Sequence, residues 1–145
     1  MKNFNKRLVK TPKLYFYDTG LACSLLGLGD YKQLNIHYLR SELFENFMIT
    51  EYLKSAFNNV KEPNIYFWRD NNGNEIDLII EDSTKLQAVE IKSGVTFNKD
   101  FFKGLNYWKN LSKNNDNVLV YGGELSMETK DGKLVSWKDW IKQLP

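Results

Sequence analysis

The sequence predicts the α/β class, α+β in layout: a central sheet containing an antiparallel meander, flanked by helices. Three observations predict it. Residues 75–81 and 86–92 alternate apolar and polar side chains and are rich in β-branched residues, the pattern of half-buried strands. Residues 64–69 read the same way, and Asn72-Gly73, a strong hairpin signal, joins them to the first of those strands. Residues 42–57, and a later stretch ending near Ser112, repeat apolar residues at helical spacing.

A chain of 145 residues is one domain by length and can bury a real core. Hydrophobic residues make up 42% and aromatic residues 14%, which excludes a disordered tail. A net charge of +2 neither demands nor excludes a polyanionic partner, because local patches decide that. Cys23 stands alone in an apolar run, so it reads as a small buried hydrophobe, and a reducing cytoplasm is the expected location. There is no signal-peptide pattern and no apolar stretch of spanning length, so no membrane partner is expected. A lone His37 leaves no His-rich zinc site.

Residues 1–12 read as a leader or linker stub, basic through Lys2, Lys6, Arg7 and Lys10, with the domain running over 13–145. Residues 13–17 are a short strand candidate, broken by Asp18-Thr19-Gly20. Residues 21–28 form a short apolar helix capped by Asp18 and ended by Gly27 and Gly29. Residues 31–40 read as irregular, and Ser41 as the N-cap of helix 42–57. At about 100° per residue, Phe44, Met48, Ile49, Tyr52 and Ala56 share one arc, and Glu45 falls within it. Glu42, Asn46, Thr50 and Lys54 take the outer side. A carboxylate on an apolar arc is costly unless paired, hydrogen-bonded or metal-bound. The plainer option is that Glu45 escapes to water near the helix start, or complements the helix dipole.

Strand 64–69 ends in Arg69, placed for an ion pair with the acidic strand or for gripping a phosphate. After strand 86–92, Ser93-Gly94 breaks the chain, and Thr96 or Asn98 caps a helix with Phe101, Leu105, Trp108 and Leu111 as its buried stripe. Lys99, Lys103 and Lys109 lie outside that stripe, as solvated lysines or a basic rim. Residues 117–121 are almost continuously apolar, as in an interior strand. A weak hairpin around Asp131-Gly132 and a short helix over 137–144 complete the chain. No Walker-type phosphate loop occurs, so no ATP site of that kind is expected.

The acidic hairpin draws the chemistry together. If the loop 82–85 closes it, Glu81 sits opposite Leu86, Asp77 faces Glu90, and Glu75 faces Lys92. Alternation then places these last four on one face, and Ile76, Leu78, Ile80, Val89 and Ile91 on the core face. Like charges directly opposite destabilise a sheet. A divalent cation is the simplest compensation, since hard cations take converging carboxylate oxygens. The bland alternative is that Lys92 alone neutralises a solvated face.

Asp77 followed, after a gap of twelve residues, by Glu90-Ile91-Lys92 resembles the PD-(D/E)XK nuclease signature, with Ile76 where the signature has proline. Glu45 matches the extra acidic residue that many such nucleases carry on the preceding helix. The stretches KLYFYDTGLACSLLGL, LFENFMITEYL, YFWRDNNGNEIDLII and AVEIKSG resemble the domain of unknown function that follows an AAA-type ATPase module in many bacterial and archaeal ATP-binding proteins. The resemblance implies a restriction-endonuclease-like core with a mixed sheet, and a chain that is the C-terminal piece of a longer ATPase. ATP would then be bound only by that other module. It also implies Mg²⁺ or Mn²⁺ held by Asp77, Glu90, the Ile91 backbone carbonyl and Glu45. Lys92 would complete a catalytic set that cuts DNA, or less expectedly RNA. The competing expectation is a catalytically inactive nuclease fold that serves nucleic-acid or protein interaction and regulates the ATPase.

Overall fold

The computed structural model describes residues 12–83 and 85–145; the basic leader and Thr84 of the predicted loop lie outside the described residues. Three helices, α1 (Thr19–Leu25), α2 (Tyr31–Ile36) and α3 (Arg40–Asn58), precede the meander β1 (Ile65–Arg69), β2 (Glu75–Asp82) and β3 (Lys85–Lys92). A 3-10 turn (Lys99–Phe102) and α4 (Lys103–Ser112) cross to β4 (Asn117–Tyr121), followed by β5 (Met127–Thr129), β6 (Gly132–Ser136) and α5 (Trp137–Lys142). The strands form one mixed sheet in the order β1-β2-β3-β4-β6-β5. β3, β4 and β6 run parallel to one another, and the other neighbours are antiparallel.

The helices cover the two faces separately. Met48 and Ile49 of α3, with Trp140 of α5, pack on Leu78, Val89, Ile91, Val118, Val120 and Val135. On the opposite face, Phe102, Leu105 and Trp108 pack on Trp68, Ile76, Ile79, Ala88, Leu119 and Leu134. The predicted stripe holds at Leu105 and Trp108 and changes at its ends: Phe102 is fully buried with Phe101 only partly so, and Leu111, in the last turn, is 40% exposed. The change from Phe101 to Phe102 falls in the 3-10 turn, whose three-residue period alters the phase before α4 begins. Cys23 is only half-buried.

Several local expectations change for identifiable reasons. Residues 31–36 are helical because Asp30 accepts the Gln33 N–H. Helix α3 starts at Arg40 with no side-chain cap, so Ser41 is not its N-cap. The Ser41 hydroxyl meets the Ser93 hydroxyl at 3.0 Å, and Arg40 donates to the Ser93 carbonyl (2.8 Å), tying the helix start to the end of β3. The turn after β1 follows its sequence: Gly73 takes φ +84, and the Asp70 carboxylate accepts from the Asn72 and Asn74 amides.

Residues 12–17 form no strand. They run as a strap along α3, held by Asn46, which was expected on the outer side but is buried. Its Oδ1 accepts the Phe16 N–H (2.7 Å), and its Nδ2 donates to the Phe16 carbonyl (2.9 Å) and to the Thr19 hydroxyl (2.8 Å). A buried side-chain amide here does the work of a neighbouring strand. Thr50, also expected outside, is buried and bonds back to the Asn46 carbonyl (2.9 Å). Asn46→Ala is expected to cost about 1–3 kcal/mol, by leaving both Phe16 backbone groups unpaired. Urea unfolding measures this, and an unchanged midpoint would contradict it.

The decisive departure lies in β2. Tyr66 pairs with Ile79, but Trp68 pairs with Ile76, so Asp77 and Leu78 together oppose the single residue Phe67. This is a β-bulge. It explains why Ile76 and Ile79 pack on the α4 face while Leu78 packs on the α3 face, which strict alternation forbids. The expected single core face of Ile76, Leu78, Ile80, Val89 and Ile91 is therefore corrected at Ile76.

Candidate metal centre

The bulge aims the Asp77 carboxylate at β3. The ladder between β2 and β3 runs from Asp82↔Lys85 to Leu78↔Val89, in the expected register but one pair tighter at the loop. Beyond Leu78, Asp77 Oδ2 accepts the Ile91 N–H at 2.9 Å. A side chain thus replaces a ladder bond, and Asp77 is 4% exposed. From the next strand, Glu90 lies buried on the α4 side. A Cβ on Gly104 would stand 3.5 Å from Glu90 Oε2 and 3.2 Å from the Glu75 carbonyl, so the helix approaches closely where it has no side chain.

Glu90 Oε1 takes Lys92 Nζ at 2.5 Å, while Oε2 is buried with no hydrogen-bond partner among the described residues. Such an orphaned carboxylate oxygen is costly in a protein interior. Glu75 does not pair with Lys92 as expected; it receives two bonds from Arg69, at 2.8 and 2.5 Å. The Arg69 cross-strand ion pair is the expected one.

Glu45, on α3, is joined to the same cluster through Lys13. The strap supplies two residues that pattern reading passed over. Lys13 Nζ stands 3.0 Å from Glu45 Oε1, 3.7 Å from Asp77 Oδ1 and 3.8 Å from Glu75 Oε1, and 5.4 Å above the Phe67 ring. The Tyr15 hydroxyl donates to the same Glu45 oxygen at 2.8 Å. Lys13 and Tyr15 are two residues apart with polar tips, and this spacing was the available signal. It could not name their partner, because Glu45 is thirty or more residues away.

Electrostatics follow from this crowding of Glu45, Glu75, Asp77 and Glu90. Burial, and then the Glu45 charge, push the Asp77 carboxyl up to about 6, against the Ile91 amide, Lys92 and Lys13. Burial, and then the Asp77 charge, push Glu90 up to about 7, against Lys92. Burial disfavours the Lys92 and Lys13 charges, but the carboxylates outweigh it and hold both above the ordinary lysine value. The Tyr15 hydroxyl is raised by burial and by Glu45, so it stays a proton donor.

Glu45, Asp77, Glu90 and Lys92 are thus neighbours, drawn from one helix and two strands. Ile91 meets the cluster through its amide. As placed, no three carboxylate, imidazole or thiolate groups among the described residues stand at metal-holding spacing. The ammonium of Lys13 lies between Glu45 and Asp77 instead.

The chain belongs to the family of the domain of unknown function DUF4143, whose model matches residues 40–140. Residues 1–32 also match a second domain of unknown function, DUF8612. Uncharacterised proteins of Mycobacterium tuberculosis and Mycobacterium bovis are each 35% identical over 91 residues, which is 62% of this chain. The aligned stretch spans only 20% of those proteins. No solved structure matches the chain. No helix among the described residues is long and apolar enough to cross a membrane.

Proposed function

We propose that this domain is a Mg²⁺- or Mn²⁺-dependent phosphodiesterase acting on DNA, built on a PD-(D/E)XK, restriction-endonuclease-like core. In this reading it is carried by a longer chain with an AAA-type ATPase module, works in the cytoplasm, and meets ATP only through that module. The observation that carries the reading is Glu90: a buried carboxylate with one oxygen unpartnered among the described residues, beside a second buried carboxylate on a bulge. Hard oxygen donors of this kind suit magnesium. The donor chemistry suits the cation, and with Lys13 moved aside Asp77 and Glu90 would be its principal ligands, with Glu45 and the Ile91 carbonyl as further oxygens.

When bound, the cation supplies charge neutralisation at the phosphate and an acidified water. The chain's own residues do the rest. Lys92, kept protonated beside Glu90, is suited to donating to a phosphate oxygen and orienting the attacking water, and less to removing its proton. Arg69 is held by Glu75 at the rim, 43% exposed at its side chain, and can turn toward a backbone phosphate.

A second reading is a catalytically inactive nuclease fold used for nucleic-acid or protein interaction and ATPase regulation. Lys13 favours it, because an internal ammonium already offsets part of the acidic cluster. Calorimetric titration with Mn²⁺ and incubation with plasmid, single-stranded DNA and RNA separate the two. The enzyme reading expects Mn²⁺ binding that Asp77→Ala abolishes, and cleavage that the same change lowers on the order of a hundredfold or more. Cleavage that persists unchanged in Asp77→Ala, or no binding at millimolar Mn²⁺, would sink it.

A further inference from the structure

The strap 12–17 is attached chiefly by polar contacts, with the half-buried Tyr15 ring as its one anchor on the α3-side core. Its other apolar side chains point outward: Leu14 is 90% exposed, Tyr17 67% and Phe16 48%. What holds it is Lys13 on Glu45 and Asp77, Tyr15 on Glu45, and the Phe16 backbone on Asn46. Two of these three attachments use carboxylates that the cation reading assigns as ligands. A dication and an ammonium cannot both sit against Asp77 Oδ1 and Glu45 Oε1 at contact distance, since like charges a few ångströms apart in a half-buried site repel strongly.

We infer that Lys13 is a built-in competitor for the divalent cation, so that cation binding and docking of the 12–17 strap exclude one another. The inference rests on the cation-binding reading above. With the cation bound, Lys13 leaves the cluster and its ammonium becomes available at the site's edge, where a nucleic-acid phosphate is its natural new partner. The strap then keeps the Asn46 contacts and the packing of the Tyr15 ring. The site is thus shut by its own chain until a dication takes the carboxylates.

Two measurements on the 145-residue chain test this. In calorimetry, Lys13→Met is expected to bind Mn²⁺ about tenfold or more tightly than the unaltered chain, because the competitor is gone. In hydrogen exchange on the unaltered chain, saturating Mn²⁺ is expected to speed exchange at the strap amides, Phe16 included, while the sheet stays protected. Asn46→Ala, which frees the strap by another route, marks the fast limit. Equal Mn²⁺ affinity in the two chains, or strap amides that slow or hold steady on Mn²⁺ addition, would overturn the competition while leaving the cation site standing. Binding by neither chain would overturn the cation reading itself, and the competition with it. The exchange measurement needs no variant, so a poorly folded Lys13→Met does not blunt the test.

Discussion

Lowering the pH from about 8 to about 5 is expected to stabilise the cation-free domain by on the order of a few kcal/mol, raising its melting temperature by roughly 5–15 °C. Asp77 and Glu90 are the source. Burial is the first cause for both, and each carboxyl also feels a neighbouring carboxylate, Glu45 for Asp77 and Asp77 for Glu90. Both therefore bind a proton more tightly in the folded chain than their ordinary values of 3.8 and 4.5 allow. The stability they contribute is complete below those ordinary values and is lost as pH rises through about 6 and about 7. Asp70 and Asp139 act in the opposite sense. Hydrogen bonds, from Asn74 and Ser126 first, hold them below 3.8, so their effect falls at more acidic pH. Saturating Mg²⁺ favours the ionised carboxylates and is expected to flatten the profile by stabilising the high-pH side most. Thermal melts across this range, with and without Mg²⁺, are the check. A melting temperature that falls steadily toward pH 5 without metal would show that the two carboxyls are not strained in this way.

Glu90→Gln is expected to raise stability near pH 8 by on the order of 1–3 kcal/mol while weakening Mn²⁺ binding at least about tenfold. Gln has nearly the same shape and carries no charge to desolvate. Its loss of the Lys92 ion pair costs little, because the Lys92 side chain is 35% exposed and can turn to water. A residue retained for structure loses stability when its charge is removed, whereas a residue retained for a ligand gains stability and loses the ligand. Melting and calorimetry on one variant read both effects. A destabilised Glu90→Gln that still binds Mn²⁺ at full strength would assign Glu90 to the fold alone.

Much of the fold was legible locally. The Asn72-Gly73 turn, the pairing of residues 78–82 with 85–89 and the interior character of β4 all follow from side-chain period and turn chemistry. So does the pairing of Arg69 with Glu75 across one hairpin. The Asp30 cap of α2 is equally local, a side-chain acceptor three residues before the amide it holds. By contrast, the faces of β2 were not legible. One added residue opposite Phe67 inverts alternation, and nothing in the residues 75–81 themselves announces it. The bulge arises because Ile76 must enter the layer of Trp68, Phe102 and Leu105 while Leu78 enters that of Met48 and Val89.

The candidate site divides along the same line. By itself the sequence determined which groups carry charge near the acidic hairpin: Asp77, Glu90, Lys92 and, by helix phase, Glu45. Only the tertiary structure decided that Asp77 reaches the Ile91 amide, that one Glu90 oxygen beneath Gly104 has no partner among the described residues, and that Lys13 and Tyr15 come down upon Glu45. The physical reason is range. Alternation and turn chemistry act over a few residues, whereas the field at a buried carboxylate is set by whatever packing brings within a few ångströms, however far away it lies in the chain.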